Sequence, residues 1–345
     1  MARQVHEVAI ATAALIAALA AALASDASAQ ARCGTRTDAP ATSSDGGVAA
    51  LGKYLYWIAG TDGAPGTFAR RFDVKAKQWE TIPEPSGGRM QTTLVAFGGA
   101  LYLIGGVARG ITALDDVQRF DEKKCAWTSA GKLPWAAGSV MAAAAGDRIV
   151  IAGGRVDNGA RSLRSLEIWT HEQAVMLDAK GKVTALPPIE QARADGAAVT
   201  VGKDVWVIGG RNVPKGVDTL GDRSRDVEIL APGAKEWTAG PWMPSSAEVY
   251  AVALPDKTIV AFGRDVMSSD RSMIYEPAKQ AWREGKDRPE SLEFLEGAAV
   301  IDGVIYVLGM EIVGGFGGTK TYRVATYDPR KDRWVIVNEV ARKRP

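Results

Sequence analysis

Residues Leu101 to Gly106 read LYLIGG, an apolar run that ends in two glycines. Similar runs occur six times along the chain, and each leads into at least one glycine. The other five are LYWIAG (Leu55 to Gly60), IVIAGG (Ile149 to Gly154), VWVIGG (Val205 to Gly210), IVAFGR (Ile259 to Arg264) and IYVLGM (Ile305 to Met310). Their ends are 46, 48, 56, 54 and 46 residues apart. A regular period of this length indicates an array of one repeated structural unit.

A second marker follows the glycines in five of the six units. An apolar or aromatic residue is followed seven positions later by tryptophan, as in Phe120 and Trp127. The other pairs are Phe72/Trp79, Leu230/Trp237, Tyr275/Trp282 and Tyr327/Trp334. In the third unit, Leu177 has Thr184 at this spacing. The two markers explain why a chain of 345 residues contains 38 glycines and 10 tryptophans.

The pattern resembles the kelch repeat, in which apolar residues, a double glycine, an aromatic residue and tryptophan recur at fixed spacing. Each unit contains four strand-like runs, which in unit 2 are TTLVAFG, ALYLIGG, DVQRFD and AWTSA. The resemblance covers residues 47–340 and implies an all-β fold, a six-bladed β-propeller of four-stranded kelch-type blades. The lone glycines of units 1, 5 and 6 and the missing tryptophan of unit 3 depart from the family pattern.

We predict the following division of the chain. A signal peptide at 1–29 and an N-terminal segment at 30–46 precede the propeller, and a basic tail at 341–345 follows it. The predicted blades span residues 47–86, 87–135, 136–189, 190–244, 245–291 and 292–340.

The first residues are typical of a secretory signal. Arg3 supplies a positive charge, Val8 to Ala24 is apolar, and Ala27, Ser28 and Ala29 form an A-x-A cleavage site. An uncleaved membrane anchor is the alternative, although the apolar run is short and rich in alanine. We therefore expect a secreted or periplasmic protein with no membrane span after cleavage. In an oxidising compartment Cys33 and Cys125 can form a disulfide, with two free thiols as the alternative.

Composition excludes several classes of function. The chain has 42 Lys and Arg against 40 Asp and Glu, so there is no surplus of positive charge for binding nucleic acid. Two cysteines and two histidines are too few for a four-cysteine zinc site or a three-histidine metal centre. We therefore expect no cofactor and no metal.

Candidate ligand-binding residues lie in two sets of loops. The loop after the glycines and the loop that joins successive blades open on the same face, which we call the glycine-side face. The candidates in these loops are Arg89, Arg155, Arg193, Arg211, Arg264, Asp265, Glu293 and Glu311. One interpretation is that the arginines bind carbonyls and carboxylates of neighbouring blades. The other is that they bind a carboxylate-bearing ligand at the mouth of the central channel. Tyr250, Trp135 and Trp242 are expected to pack between blades, with stacking on a ligand as the alternative.

Two functions remain open at this point. The first is a non-catalytic binding module for a carboxylate-bearing peptide, protein or glycan. The second is a carbohydrate-active enzyme, because the chain also resembles secreted kelch mutarotases of sialic acid; Glu311 or Glu293 would then transfer protons. Galactose oxidases also carry a kelch propeller, but their copper site uses two histidines. His171 is the one histidine beyond residue 29, so that copper chemistry is rejected.

Overall fold

The computed structural model describes residues 33–38, 44–60, 67–108, 112–159, 166–216, 221–264, 271–314 and 318–338, which form mainly antiparallel β-strands. The predicted signal peptide and the basic tail lie outside these ranges. No helix among the described residues is long and apolar enough to cross a membrane.

Six antiparallel sheets each contain the four strands of one repeat, with the first strand innermost. Blade 1 consists of β2 (Ser44–Leu51), β3 (Tyr54–Gly60), β4 (Thr67–Asp73) and β5 (Gln78–Thr81). Blade 2 consists of β7 (Thr93–Phe97), β8 (Ala100–Ile104), β11 (Asp116–Asp121) and β12 (Ala126–Lys132). Blade 3 consists of β13 (Met141–Ala145), β14 (Arg148–Ala152), β17 (Ala174–Asp178) and β18 (Val183–Leu186). Blade 4 consists of β19 (Ala197–Val201), β20 (Asp204–Ile208), β23 (Val227–Leu230) and β24 (Thr238–Ala239). Blade 5 consists of β25 (Val249–Ala253), β26 (Ile259–Gly263), β27 (Arg271–Glu276) and β28 (Ala281–Asp287). Blade 6 consists of β29 (Phe294–Ile301), β30 (Val304–Val313), β31 (Thr319–Asp328) and β32 (Arg333–Asn338).

The remaining described elements are short. A 3-10 turn at Glu290–Leu292 precedes blade 6. The other strands are β1 (Thr35–Thr37), β6 (Arg89–Met90), β9 (Val107–Ala108), β10 (Thr112–Ala113), β15 (Arg155–Asp157), β16 (Ile168–Thr170), β21 (Arg211–Asn212) and β22 (Asp222–Arg223).

The inner strands form a closed ring. Each one contacts the inner strand of the next blade, and β2 of blade 1 contacts β29 of blade 6. Apolar side chains fill the space between neighbouring blades, as where Tyr102 of blade 2 and Ile151 of blade 3 share a buried cluster. This arrangement buries both faces of every sheet, which no single four-stranded sheet could do alone. The predicted six-bladed β-propeller is confirmed.

The second sequence marker is a cross-strand pair. Phe120 of β11 lies directly opposite Trp127 of β12, and their ring centroids are 5.0 Å apart. The indole nitrogen of Trp127 donates a hydrogen bond to the carbonyl of Pro83, in the linker from blade 1, at 2.8 Å. Trp237 and Trp282 make the same bond to Pro187 and Pro241. These tryptophans therefore join neighbouring blades.

The double glycines turn the backbone, but the lone glycines do not. In blade 4, Gly209 and Gly210 have φ angles of 59° and 103°. A side chain on Gly209 would place its Cβ 2.7 Å from the carbonyl oxygen of Ala247. By contrast, Gly60 and Gly309 lie inside the extended strands β3 and β30. The paired glycines of units 2 to 4 therefore form turns, whereas the second strand of unit 1 extends to Gly60 and that of unit 6 continues through Gly309.

The N-terminal segment adds a fifth strand to blade 1. Strand β1 pairs antiparallel with β5, with Thr35 opposite Thr81. Cys33 just before it forms a disulfide with Cys125 in the β11–β12 turn of blade 2. Arg71 is buried below this connection, and it binds Glu80 of blade 1 at 2.7 Å and Glu122 of blade 2 at 2.9 Å. The segment thus fastens the first two blades to each other.

Candidate functional site

One residue from the start of each inner strand surrounds the end of the central channel on the glycine-side face. We call this end the mouth. Its residues are Asp45, Gln91, Ser139, Asp195, Glu248 and Glu296, one per blade. The backbones of the first five blades are joined there by hydrogen bonds. The amide of Gln91 donates to the carbonyl of Asp45 at 2.6 Å, and the amide of Ser139 donates to that of Gln91 at 2.7 Å.

The same bonds continue through blades 4 and 5. Asp195 donates to Ser139 at 3.3 Å, and Val249 donates to Asp195 at 3.1 Å. Between blades 5 and 6 the amide of Leu295 donates to the carbonyl of Arg264 at 2.8 Å. Between blades 6 and 1 the acceptor is a side chain: the amide of Gly46 donates to the carboxylate of Glu296 at 3.5 Å and completes the circle.

Arg264 is the central cation of the mouth. It occupies the position of the second glycine in units 2 to 4, where a Cβ would lie only 2.5 to 2.8 Å from the nearest atom of the surrounding residues. Its guanidinium is bound to Asp195 of blade 4 and lies 3.6 Å from Asp45 of blade 1. It also lies 4.9 Å from the ring centroid of Tyr250. Burial alone would lower the pKa of Arg264, but the surrounding Tyr250, Asp195 and Asp45 raise it well above its usual value.

Glu296 is a buried carboxyl beside this cation. Glu296 is only 3% exposed. Burial, together with the negative charge of Asp45, raises the pKa of Glu296 to about 8. A carboxyl that keeps its proton near neutral pH can both donate and accept a proton, which is the property required of an acid or base catalyst. Burial also raises the pKa of the nearby Tyr250 hydroxyl.

Arg89 and Arg193 do not reach the mouth, which corrects their assignment as ligand-binding residues. Arg89 is 4% exposed and binds both oxygens of Asp116, at 2.6 and 3.0 Å. It also donates to the carbonyls of Ser86 and Gly105. Arg193 holds the same place in blade 4, where it is completely buried with its Nη2 3.0 Å from Glu228 Oε1. Both arginines support the loops within the propeller, because their charges are already compensated where no ligand has access.

Arg211 is also compensated. Its guanidinium binds Glu248 of the next blade, and Arg223 of the same β21–β22 ribbon lies 3.7 Å from that carboxylate. Glu311 pairs with Arg323 at 3.0 Å across the β30–β31 hairpin. Glu293 accepts a bond from the amide of Ile312 at 3.5 Å. Asp265 lies outside the described residues. The interpretation in which arginines bind carboxylates of neighbouring blades therefore fits Arg211 and Arg264, whereas Arg89 and Arg193 pair with carboxylates of their own blades.

Arg155 is the exception among the five arginines. It lies half-buried on β15, and its side chain makes no ion pair or hydrogen bond with any residue in the described ranges. In blade 4 the equivalent Arg211 pairs with the mouth residue of the next blade. The corresponding mouth residue for Arg155 is Asp195, and Asp195 is bound to Arg264 instead. Among the described residues, the guanidinium of Arg155 is therefore left without a carboxylate partner.

Short β-ribbons project from the blades and border part of the mouth. Ribbon β9–β10 contacts β15–β16, which contacts β21–β22. The amide of Ala113 donates to Asp157 at 2.6 Å, and the amide of Thr170 donates to the carbonyl of Val213 at 2.9 Å. On the far side, the β30–β31 hairpin of blade 6 extends beyond its sheet. We call the resulting concavity, with the mouth at its floor, the bowl.

The three candidate aromatic residues have different environments. Trp135 is buried between blades 2 and 3, as expected, and stacks on His171 with ring centroids 5.8 Å apart. Trp242 is 60% exposed, so its expected burial between blades is wrong. Its ring lies 4.3 Å from the guanidinium of Arg225, which holds it on the surface. Tyr250 packs against the buried cluster between blades 5 and 6, as expected, and its ring also lies 4.9 Å from the guanidinium of Arg264.

Sequence reasoning missed the acidic residues of the mouth. Asp45, Asp195, Glu248 and Glu296 were not among the candidates, although each stands just before the small apolar residues of an inner strand. Aligning the six units with one another would have revealed these residues, because four of the units have an acidic residue at this point. Among the described residues, no group of three His, Cys, Asp or Glu side chains is arranged to hold a metal ion.

Comparison with known proteins agrees with this architecture. The Kelch motif family matches residues 88–134 and 192–244. Kelch-like protein 34 of Homo sapiens is 28% identical over 56% of this chain and 28% of its own length. Kelch-like protein 35 of Mus musculus is 27% identical over 76% of this chain and 41% of its own length. The chain therefore spans less than half the length of these curated relatives.

A solved structure shares the fold. The structure entitled "Structure of YjhT" superposes with a TM-score of 0.66 at 15% identity, over 88% of this chain and 99% of that one. The blades, the strand order and the inter-blade tryptophans define a six-bladed β-propeller. The motif matches and the relatives above show that its repeats resemble those of kelch proteins.

Proposed function

We propose that the protein is a secreted or periplasmic kelch propeller that binds a carboxylate-bearing protein, peptide or glycan in the bowl. The observation that carries this proposal is the uncompensated guanidinium of Arg155. A guanidinium forms paired, directional hydrogen bonds with a carboxylate, and such charged bonds are stronger than neutral ones. A ligand carboxylate would give Arg155 the partner that Arg211 has in Glu248.

The ribbon that carries Arg155 favours an extended ligand over a small ion. On its other face Trp169 lies opposite Val156, and the Trp169 ring is 4.4 Å from the ammonium of Lys215. An aromatic face next to a cation suits both sugar rings and peptide side chains. Kelch-like relatives of this chain are much longer, so their whole-protein partners do not transfer to it directly. The proposal therefore rests on the chemistry of the bowl.

Secretion is part of the same proposal. The features of residues 1–29 support it, and the Cys33–Cys125 disulfide suits an oxidising compartment. Sequencing the N-terminus of the protein recovered from the periplasm or medium tests it. We expect the chain to begin at Gln30, and a chain that retains Met1 in the cytoplasm would contradict it.

Binding is tested by titrating the purified protein with hexaglutamate, glucuronate and N-acetylneuraminate, and with an uncharged analogue of each. We expect at least one carboxylate to bind and its uncharged analogue not to bind. Arg155→Gln should weaken that affinity about tenfold, because one charged hydrogen-bonded contact is lost. The control is Arg148→Gln, an arginine of the opposite face that pairs with Asp147. Equal affinity for Arg155→Gln and the wild-type protein would refute the assignment of Arg155.

The enzymatic alternative has one observation in its favour. Glu296, with its raised pKa, lies with Tyr250 and Arg264 at the floor of the bowl, so proton-transfer groups stand beside a cation. Glu293 and Glu311, the residues proposed from sequence, lie instead in the wall formed by blade 6. A sugar-acid mutarotase would speed the equilibration of N-acetylneuraminate anomers, followed by proton NMR. Loss of that acceleration in Glu296→Gln would support this function, and no acceleration by the wild-type protein would dismiss it.

A further inference from the structure

The central channel is a narrow space lined by small side chains. It has a volume of about 350 Å³ and runs between the six inner strands. Alternate residues of these strands are half-exposed to it. Near the mouth these residues include Ala142, Ala198, Ala251 and Ala298, and one layer deeper they include Ala144, Thr200, Ala253 and Val300. With walls this small, the side chains at the mouth decide what can enter from the bowl.

Arg264 extends across the mouth. Its two carboxylate partners, Asp195 and Asp45, belong to blades 4 and 1. These blades are three apart in a ring of six, so they face each other across the channel axis. A guanidinium that contacts both must lie over the opening between them. Tyr250 lies against it from the wall of the channel, and the Arg264 side chain is only 16% exposed.

The two contacts that hold Arg264 are unequal. Asp195 is bound closely and its side chain is 17% exposed. Asp45 is 3.6 Å away and its side chain is 46% exposed. An ion pair open to water contributes little because solvent screens it. The attachment to blade 1 is therefore the weaker of the two, and releasing it would leave Arg264 tied only to blade 4.

We propose that Arg264 is a movable plug that closes the glycine-side end of the central channel, with Asp45 as its releasable latch. In blades 2, 3 and 4 the equivalent position is a glycine, and the mouth is bordered there by the ring of backbone hydrogen bonds. Blade 5 alone places a long charged side chain at this point. The plug regulates access to the channel, and it does not depend on which ligand the bowl binds.

Accessibility of an introduced thiol tests the plug. The chain has only two cysteines, which are bonded to each other, so one added cysteine is the only free thiol. Ala142→Cys places it near the mouth, and Ala144→Cys places it deeper on the same strand and the same side. The measurement is the rate of modification by methyl methanethiosulfonate, expressed as the ratio of the first rate to the second.

We expect Arg264→Ala to raise this ratio about tenfold, since it removes a charged hydrogen-bonded contact that keeps the mouth shut. Asp45→Asn should raise it about twofold to threefold, as expected for a partly exposed ion pair. The matched control is Arg271→Ala, which removes another arginine of blade 5 that pairs with Glu284 away from the channel. It should leave the ratio unchanged.

Circular dichroism and the melting temperature show whether each variant is folded. An unchanged ratio in folded Arg264→Ala, or an equal rise in Arg271→Ala, would overturn the plug. If Arg264→Ala does not fold, Asp45→Asn decides, because it leaves Arg264 and its contact with Asp195 in place. If the ratio of modification rates in Asp45→Asn equals that measured with Asp45 in place, the latch is refuted, and the proposal with it.

Discussion

Arg193 and Glu228 form an ion pair that is hidden from solvent: Nη2 lies 3.0 Å from Oε1, and the side chains are 0% and 5% exposed. Glu228 also accepts a hydrogen bond from the amide of Glu190 at 2.7 Å, so it fixes the linker that enters blade 4. In blade 2 the corresponding buried arginine, Arg89, binds Asp116, and Asp116 also accepts a hydrogen bond from Gln118. Two repeats thus use a buried arginine to hold the start of an inner strand.

Removing one partner of this pair should be costly. We expect Glu228→Ala to lower the free energy of unfolding by about 3 to 5 kcal/mol, because it leaves a buried charge without compensation. Glu228→Gln should lower the free energy of unfolding by less, since it introduces the residue type that Gln118 supplies at the equivalent position of blade 2. Urea denaturation measures both. As a control, Asp147→Ala breaks the exposed pair with Arg148 and should change stability by less than about 1 kcal/mol. A similar loss in both alanine variants would contradict this role of burial.

The disulfide should stabilise the join between blades 1 and 2. Cys33 and Cys125 are 92 residues apart, and a loop of about that length gives roughly 4 to 5 kcal/mol in the chain-entropy description. We expect the double variant Cys33→Ser and Cys125→Ser to lose about 2 to 5 kcal/mol. Hydrogen exchange should then become faster in β1 and β5 before it does in blade 4. A reductant should destabilise the wild-type protein and leave the double variant unaffected; sensitivity of the variant would contradict the assignment.

The raised pKa of Glu296 makes a prediction about pH. The folded protein holds this proton up to about pH 8, whereas the unfolded chain releases it near the ordinary value of 4.5. Between these values the folded state binds more protons, so stability falls as pH rises through the window. We expect Glu296→Gln to become progressively more stable relative to the wild-type protein from pH 5 to pH 8. Other groups cancel in this difference, and a difference independent of pH would show that Glu296 is not protonated when folded.

The double glycines should be sensitive to a single methyl group. Gly209→Ala combines a φ of 59° with a Cβ 2.7 Å from the carbonyl oxygen of Ala247. Gly146 has nearly the same φ, 61°, but a Cβ at that position would meet nothing within 4 Å. Gly146→Ala therefore measures the backbone cost alone, about 1 to 2 kcal/mol. We expect Gly209→Ala to lower the free energy of unfolding clearly more than Gly146→Ala does, as measured by urea denaturation. Equal losses would contradict the close approach between blades 4 and 5.

Much of the fold follows from local patterns. Phe120 and Trp127 are seven residues apart because a tight hairpin places them opposite each other, so their spacing is a direct record of strand pairing. The double glycines likewise mark turns that each unit forms by itself. The inner strands are rich in alanine because small residues must line a channel on which six strands converge.

The candidate site was less accessible to such reasoning. The positions of the arginines on the repeat were evident, but their partners were not. Arg211 binds Glu248 in the following blade, and Arg264 binds Asp195 at a separation of 69 residues. Charge on a repeat position shows that a partner is needed, and it does not show whether a neighbouring blade or a ligand provides it.

The sequence by itself therefore determined the number of blades, the four-stranded unit and the face on which the arginines lie, because these depend on periodicity within each repeat. The tertiary structure decided which arginines are free. It buried Arg89 and Arg193, joined Arg264 to Asp195 and thereby left Arg155 without an ion pair in the part of the chain that the structure describes. Closing the ring brings together residues from blades that are distant in the chain, and the balance of their charges exists only after that closure.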